Sequence, residues 1–255
     1  MRRPALFPAL TLIGAAAFFL IPLGATLEFS LRTAGGHGFG AYGDLLKQHQ
    51  FWSTLGLSLR LAGESIAAVL VLLVPTAYWV HLRAPRLRPL VAFLCVLPFV
   101  VPPIVLIVGL LGIFRGAPGW WLGSPQFLVP GYVVLSLPYA WFSLDAGLRS
   151  IDVRTLSEAA HSLGAGSLRT LSLVILPGLR AAVLAASLLT LAIVLGEFTM
   201  ASLALFNTFP VFVAYVGQTQ ATGAAALTIV SIGMLWAAML ALALATRARG
   251  GKARA

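Results

Sequence analysis

The sequence predicts an all-α integral membrane protein with six transmembrane helices. Two features of composition and one of pattern lead there. Of the 255 residues, 60% are hydrophobic and only 9% are charged, against about 25% charged in a soluble domain. The mean hydropathy is +0.97. The apolar residues fall in six stretches, each near the roughly 20 residues a helix needs to cross a bilayer core. So few charges cannot cover a water-exposed surface, which excludes a soluble enzyme or receptor domain. Disorder is excluded because disordered chains are poor in apolar residues. The single cysteine, Cys95, leaves no intrachain disulfide and no multi-cysteine metal site.

The six spans are Leu6–Leu27, Leu55–Val80, Leu90–Phe114, Phe127–Leu148, Ala181–Leu205 and Gly223–Thr246. They are far longer than a barrel strand of about 10 residues, and they lack alternation. The first follows Met1-Arg2-Arg3. It is longer than the 7–15 apolar residues of a secretory signal core, so it reads as an uncleaved span. The second is interrupted by Arg60 and Glu64, four apart on one helix face and able to pair. The third holds Pro98, Pro102 and Pro103. Each proline frees a backbone carbonyl, tolerated in a membrane only beside protein or a water-filled cavity. The cluster predicts a cavity-lining helix. Asp145, at the end of the fourth span, pairs by spacing with Arg149. Glu197, 17 residues beyond Arg180 in the fifth, sits roughly 25 Å along that helix.

The net charge of +10 is not spread over one face, as nucleic-acid binding would require. It lies in short gaps between spans, so no nucleic-acid partner is expected. With the N-terminus inside, the cytoplasmic set is Arg2, Arg3, Arg83, Arg86, Arg88, Arg149, Arg154, Arg169, Arg180, Arg247, Arg249, Lys252 and Arg254. Only Arg32, Lys47 and Arg115 fall outside. This bias places both termini in the cytoplasm. Phe51, Trp52, Tyr78, Trp79, Trp120 and Trp121 lie near span ends and read as interfacial anchors. The outer segment Thr26–Ser53, with Gly35, Gly36, Gly38, Gly40 and Gly43, reads as loose. Phe206–Gln220 reads as a short helix lying at, or dipping into, the outer interface, capped by Asn207-Thr208 before Pro210.

The longest cytoplasmic segment, Arg149–Arg180, is too polar for the bilayer and too patterned for a slack loop. Ser157 is a candidate N-cap, and Gly164 and Gly166 allow a sharp turn with positive φ. A second helix, Ser167–Leu176, is expected to stop at Pro177. The product is a helical hairpin beneath the membrane.

Glu158-Ala159-Ala160, then Gly164, then Ile175-Leu176-Pro177 resembles the EAA motif of binding-protein-dependent ABC importer permeases. Ten residues separate Gly164 from Ile175, and Leu176 follows directly, a small departure that keeps the turn and the proline. Leu137-Pro138-Tyr139 and Gly196-Glu197-Phe198 resemble the branch that moves polyamines, thiamine, ferric iron and oxyanions. The resemblance implies a type I importer permease (MetI-like) fold, a single permease domain over 1–255, with 149–180 as its coupling hairpin. It implies a prokaryotic inner-membrane subunit, a second permease subunit, a cytoplasmic ATPase dimer and an extracytoplasmic solute-binding protein. Glu158, Ala159, Ala160, Gly164 and Pro177 are then the ATPase-coupling residues. No G-x-x-x-x-G-K-[ST] loop occurs, so ATP and Mg are expected on the partner ATPase and no cofactor on this chain.

Ionisable groups inside spans are functional candidates by default. Glu64, Glu197 and Asn207 are the pathway candidates. His37, His49, His81 and His161 form no metal or catalytic pattern, and neither H-E-x-x-H nor G-x-S-x-G occurs, so no catalytic centre is expected. A secondary transporter or channel using Glu64 or Glu197 is the alternative, but the first three spans do not echo the last three as inverted repeats would. A small organic cation such as spermidine or putrescine is the expected solute, ahead of thiamine or ferric iron, with oxyanions last.

Overall fold

The computed structural model describes residues 6–33 and 36–251; Arg2, Arg3, Gly35, Lys252 and Arg254 lie outside the described residues. The chain divides into two compact units, residues 1–53 with 212–236, and residues 54–211 with 237–255. Among the described residues, four helices are long and apolar enough to cross a membrane, and two further helix pairs qualify if each bent pair is one span.

In the first unit, α1 (Leu6–Ser30) carries a candidate span from Leu10 to Ser30 whose most apolar 18 residues are all unburied. That exposure suits a helix whose solvent is lipid. Within Thr26–Ser53 the described residues form regular elements, contrary to the segment's glycine content. Strands β1 (Arg32–Thr33) and β2 (Gly36–His37) pair antiparallel, Arg32 opposite His37. Helix α2 (Gly40–Lys47) follows and buries Leu45. The Ser30 hydroxyl bonds the Tyr42 hydroxyl at 2.6 Å, and Glu28 receives both Arg32 and His37. These side-chain bonds offset the entropy that the glycines add. Phe51 is buried as well, so it is not an interfacial anchor, whereas Trp52 is exposed.

In the second unit, α3 (His49–Arg83) continues from Thr54 onward. The third predicted span is not one helix. Helix α4 (Arg88–Val96) runs into a 3-10 turn, Leu97–Phe99, and α5 (Pro103–Ile113) leaves at 102°. Pro103 forces Pro102 out of the helical region, to φ −60 and ψ 144, and then itself opens α5. A short turn, α6 (Gly119–Leu122), leads to α7 (Val129–Arg149).

The hairpin is α8 (Val153–Ser162), then a helical arm made of α9 (Ser167–Thr170), a π turn over Leu171–Ile175 and α10 (Leu176–Gly178). Pro177 lies inside this arm and does not end it. The π turn just before it widens the helix, relieving the clash a proline ring makes with the preceding turn. The arm bends by 80° into α11 (Arg180–Gly196). The fifth span also breaks: Glu197 is extended, and α12 (Thr199–Leu203) starts anew. Helices α13 (Phe209–Thr219) and α14 (Ala221–Gly251) complete the chain. The cap of α13 differs from expectation. Its first amide, Phe209 N–H, donates to Ser58 Oγ of α3 at 2.9 Å, while the buried Thr208 hydroxyl makes no hydrogen bond.

Two apolar clusters hold the second unit. One packs Trp141, Leu144 and Leu148 of α7 against Leu179, Ala182 and Ala186 at the start of α11 and Val69, Leu73 and Ala77 of α3. Gly147 permits this approach, since a Cβ there would sit 2.4 Å from the Cβ of Ala182. The other joins Leu61, Ile107, Phe127, Tyr132, Leu191 and Met200 around the far half of α11. Such burial, at about 25 cal/mol per Å² of apolar surface, is what fixes the broken helices in place.

The α8 cap is Asp152, not Ser157. Its carboxylate accepts from Thr155 N–H at 3.1 Å and from the Thr155 hydroxyl at 2.7 Å. These two bonds, hydroxyl first, hold the Asp152 carboxyl below its ordinary pKa. A depressed carboxyl contributes stability above its unfolded pKa of about 3.9 and loses it as pH falls through the lower folded value. Amide protection at the start of α8 should therefore decline below about pH 4. In Asp152→Asn, which still caps but does not titrate, it should stay flat. Hydrogen exchange at residues 153–156 checks this; equal pH profiles in the two proteins would refute the capping account.

Candidate functional site: a cleft between two broken helices

The breaks in the third and fifth spans face the same cleft, of about 570 Å³. One wall is Pro98–Pro103, the proline cluster expected to line a cavity; the other is Ala192, Ile193 and Gly196–Thr199. Leu135 and Tyr139 of α7 close it between them. Phe99 and Tyr139 meet edge to face, with ring centroids 5.1 Å apart. Pro102 and Pro103 lack the N–H that would bond the carbonyls of Pro98 and Phe99 on this wall, and such groups sit well only beside protein or a wetted cavity.

Glu197 shows how the second break forms. Both of its carboxylate oxygens lie 3.0 Å from Met200 N–H. The side chain thus takes over an amide at the start of α12 that no helical carbonyl can reach. A side-chain cap competes directly with helix continuation, so the chain turns at Glu197. Glu197 is largely buried and is the one acidic residue on the cleft wall.

The other pathway candidates lie elsewhere. Glu64 does not line the cleft; Arg60 Nε donates to it at 2.8 Å, as their spacing predicts. Asn207 is exposed in the turn before α13 and does not reach the cleft either. Only Glu197 of the three joins this site.

The hairpin residues stand together on α8 and its turn. Glu158 is exposed and pairs with Arg154 at 2.9 Å, an interaction that holds the Arg154 guanidinium above its ordinary pKa. Ala159 is exposed and Ala160 buried, so the alanine pair has one face out and one in. Gly164 takes φ +80. Its N–H donates to His161 O at 2.9 Å, and Ala165 N–H donates to Ala160 O at 3.0 Å. That pair of bonds is a Schellman motif with Gly164 at its left-handed position. Gly166, expected to share the turn, is extended instead, with φ −72 and ψ 163.

Two features were missed in sequence. Tyr78 is buried and its hydroxyl meets the buried Ser157 hydroxyl at 3.1 Å, tying α3 to the hairpin. Asp145 receives not only Arg149 but also His81 at 2.9 Å and Arg88 at 2.7 Å. Tyr78 and His81 are three apart on α3, which hints at a shared polar face, but their partners are remote in sequence.

No protein-family model matches the chain. Its fold is that of a solved bacterial ABC transporter involved in the import of the acidic polysaccharide alginate. The TM-score is 0.71 over 95% of this chain and 94% of the other, at 16% identity. The sequence is 30% identical over 213 residues to the spermidine/putrescine transport system permease protein PotB of Haemophilus influenzae, covering 73% of this chain and 72% of that one. The chain belongs to the ABC importer permeases. This permease is also 31% identical over 169 residues to the molybdenum transport system permease protein ModB of Azotobacter vinelandii, covering 60% of this chain and 72% of the relative. Family membership sets aside the secondary carrier or channel and makes this a multi-pass membrane protein.

Proposed function

We propose that this permease forms half of the translocation pathway of a polyamine importer in a prokaryotic inner membrane. The observation that carries the solute is the wall of the cleft. It holds one carboxylate, three aromatic rings, proline-freed carbonyls and no Lys or Arg. Opposite charge and ring faces favour an alkylammonium group, whereas an oxyanion would meet no cation there. The H. influenzae relative is named for spermidine and putrescine, which agrees; the A. vinelandii relative is named for molybdenum, and that makes molybdate the contrast to test.

Polyamine uptake should be measured in vesicles holding the full complex. Wild type should accumulate radiolabelled spermidine or putrescine. Glu197→Gln keeps a side-chain acceptor for Met200 N–H but loses the charge, and uptake should fall by about tenfold, the scale of one weakened charge contact of 1–2 kcal/mol. Robust molybdate or sulfate uptake with no polyamine uptake would end this reading.

The remaining parts of the proposal rest on the family and the charge pattern. Six spans follow if the third is the bent pair ending in α5 and the fifth is α11 with α12, and the positive-inside bias puts both termini and the hairpin in the cytoplasm. Residues 149–180 then seat on a separate ATPase through Glu158, Ala159, Ala160 and Gly164, with Pro177 shaping the arm that leads to α11. ATP and Mg belong to that ATPase, and this subunit is not itself catalytic. A solute-binding protein delivers cargo from outside. Intact-complex mass measurement should give two ATPases and two permeases of unlike mass; a transporting complex with one permease chain would refute the half-pathway.

A further inference from the structure

Away from the pathway cleft, the start of α4 and the end of α7 enclose a second cavity, of about 260 Å³. Arg88, Asp145 and Arg149 form its polar end, and Ala92, Trp141 and Phe142 its apolar wall. Three donors converge on the single carboxylate of Asp145: His81, and the Nε and Nη2 groups of both arginines. That carboxylate is saturated, and two guanidiniums against one acid leave a positive charge in surplus. Each guanidinium has five N–H donors in a planar fork, so Nη1 of each remains for another acceptor. Arg88 and Arg149 also keep side-chain exposures of 31% and 59%, against 5% for Asp145. An anion approaching the cavity meets the arginines and not the acid.

The depth of these groups selects the anion. Arg149 is the last residue of α7 and of its candidate membrane span, which puts the guanidiniums at the membrane–water boundary. Phe142 lies seven residues earlier, two turns and about 10 Å deeper along the helix, and is half exposed. A ligand fitting both levels has a phosphate at one end and hydrocarbon at the other. We propose that this cavity binds an anionic phospholipid, its phosphate held by Arg88 and Arg149 and an acyl chain laid along Phe142 and Ala92. Basic pockets between membrane helices recognise anionic headgroups through this combination of charge and depth. Arginine suits the task because its fork matches two phosphate oxygens.

The test is native mass spectrometry of the full transporter assembly released from bilayers of equimolar phosphatidylglycerol and phosphatidylcholine. Wild type should retain phosphatidylglycerol over phosphatidylcholine by at least about fivefold, the scale of one basic residue at a membrane surface. In Arg149→Gln, which leaves His81 and Arg88 on Asp145, the preference should fall toward one. Arg149→Lys keeps the charge and should retain part of it, while Arg169→Gln, which removes an exposed charge elsewhere, should leave it intact. Equal retention of the two lipids by wild type would overturn the proposal. So would an equal loss in Arg149→Gln and Arg169→Gln, which would mark diffuse surface charge. Displacement of the lipid by millimolar inorganic phosphate would also overturn it, since the site would then recognise a free anion.

Discussion

Asp145→Ala is expected to destabilise the protein by about 3 kcal/mol, the low end for breaking a buried ion pair. Asp145 is 4% exposed and is the shared acceptor for His81, Arg88 and Arg149. Without it, His81 and Arg88 keep no acid partner among the described residues, while Arg149, more than half exposed, rehydrates at little cost. The three partner side chains come from α3, α4 and α7, so the carboxylate joins three helices at one point. The midpoint of thermal unfolding of the purified assembly should drop by on the order of 10 °C. Asp145→Asn should lose less, since an amide oxygen still accepts hydrogen bonds. If both variants unfold at the wild-type temperature, the junction carries no stability.

Gly164→Pro and Glu158→Lys are each expected to abolish transport while the permease still reaches the membrane. Gly164 sits at φ +80 and donates its N–H to His161 O. Proline fixes φ near −65° and has no N–H, so both features of the Schellman turn are lost together. Gly164→Ala keeps the N–H and should lose only part of the activity, the left-handed strain being about 1–2 kcal/mol. Glu158 is exposed, and among the described residues its only ion-pair partner is Arg154, one turn away and itself exposed. Reversing its charge therefore acts on whatever docks there, which the proposed coupling role makes the ATPase. Binding-protein-stimulated ATP hydrolysis in the assembled complex is the measurement. Normal stimulation in Gly164→Pro and Glu158→Lys would remove the coupling role from the hairpin.

Much of this protein follows from local chemistry. Composition alone requires a membrane, because 9% charge cannot solvate 255 residues. Spacing alone pairs Arg60 with Glu64 and Arg149 with Asp145, since residues four apart share a helix face whatever the tertiary fold. The turn at Gly164 is local as well: a glycine after a helix, with both bonds made within five residues. The proline run at Pro98–Pro103 marks a cavity wall because the freed carbonyls need one.

The places where sequence reasoning erred are those settled by partners distant in the chain. Hydropathy counts apolar residues and is blind to direction, so it finds Leu90–Phe114 but not the 102° turn within it. Ser157 has the side chain of a cap, but Tyr78, 79 positions away, takes its hydroxyl, and Asp152 caps α8 instead. Thr208 loses the capping role to Ser58, 151 positions from the Phe209 amide it accepts. Glu197 reads from sequence as a pathway candidate, and only the structure shows that it also caps α12 at the edge of the cleft. Periodicity and propensity fix what lies within one turn of a residue. Which of several competent side chains meets a given amide is decided by packing across α3, α7 and α11, because a buried donor is satisfied by whichever acceptor the packed core brings within 3 Å or so.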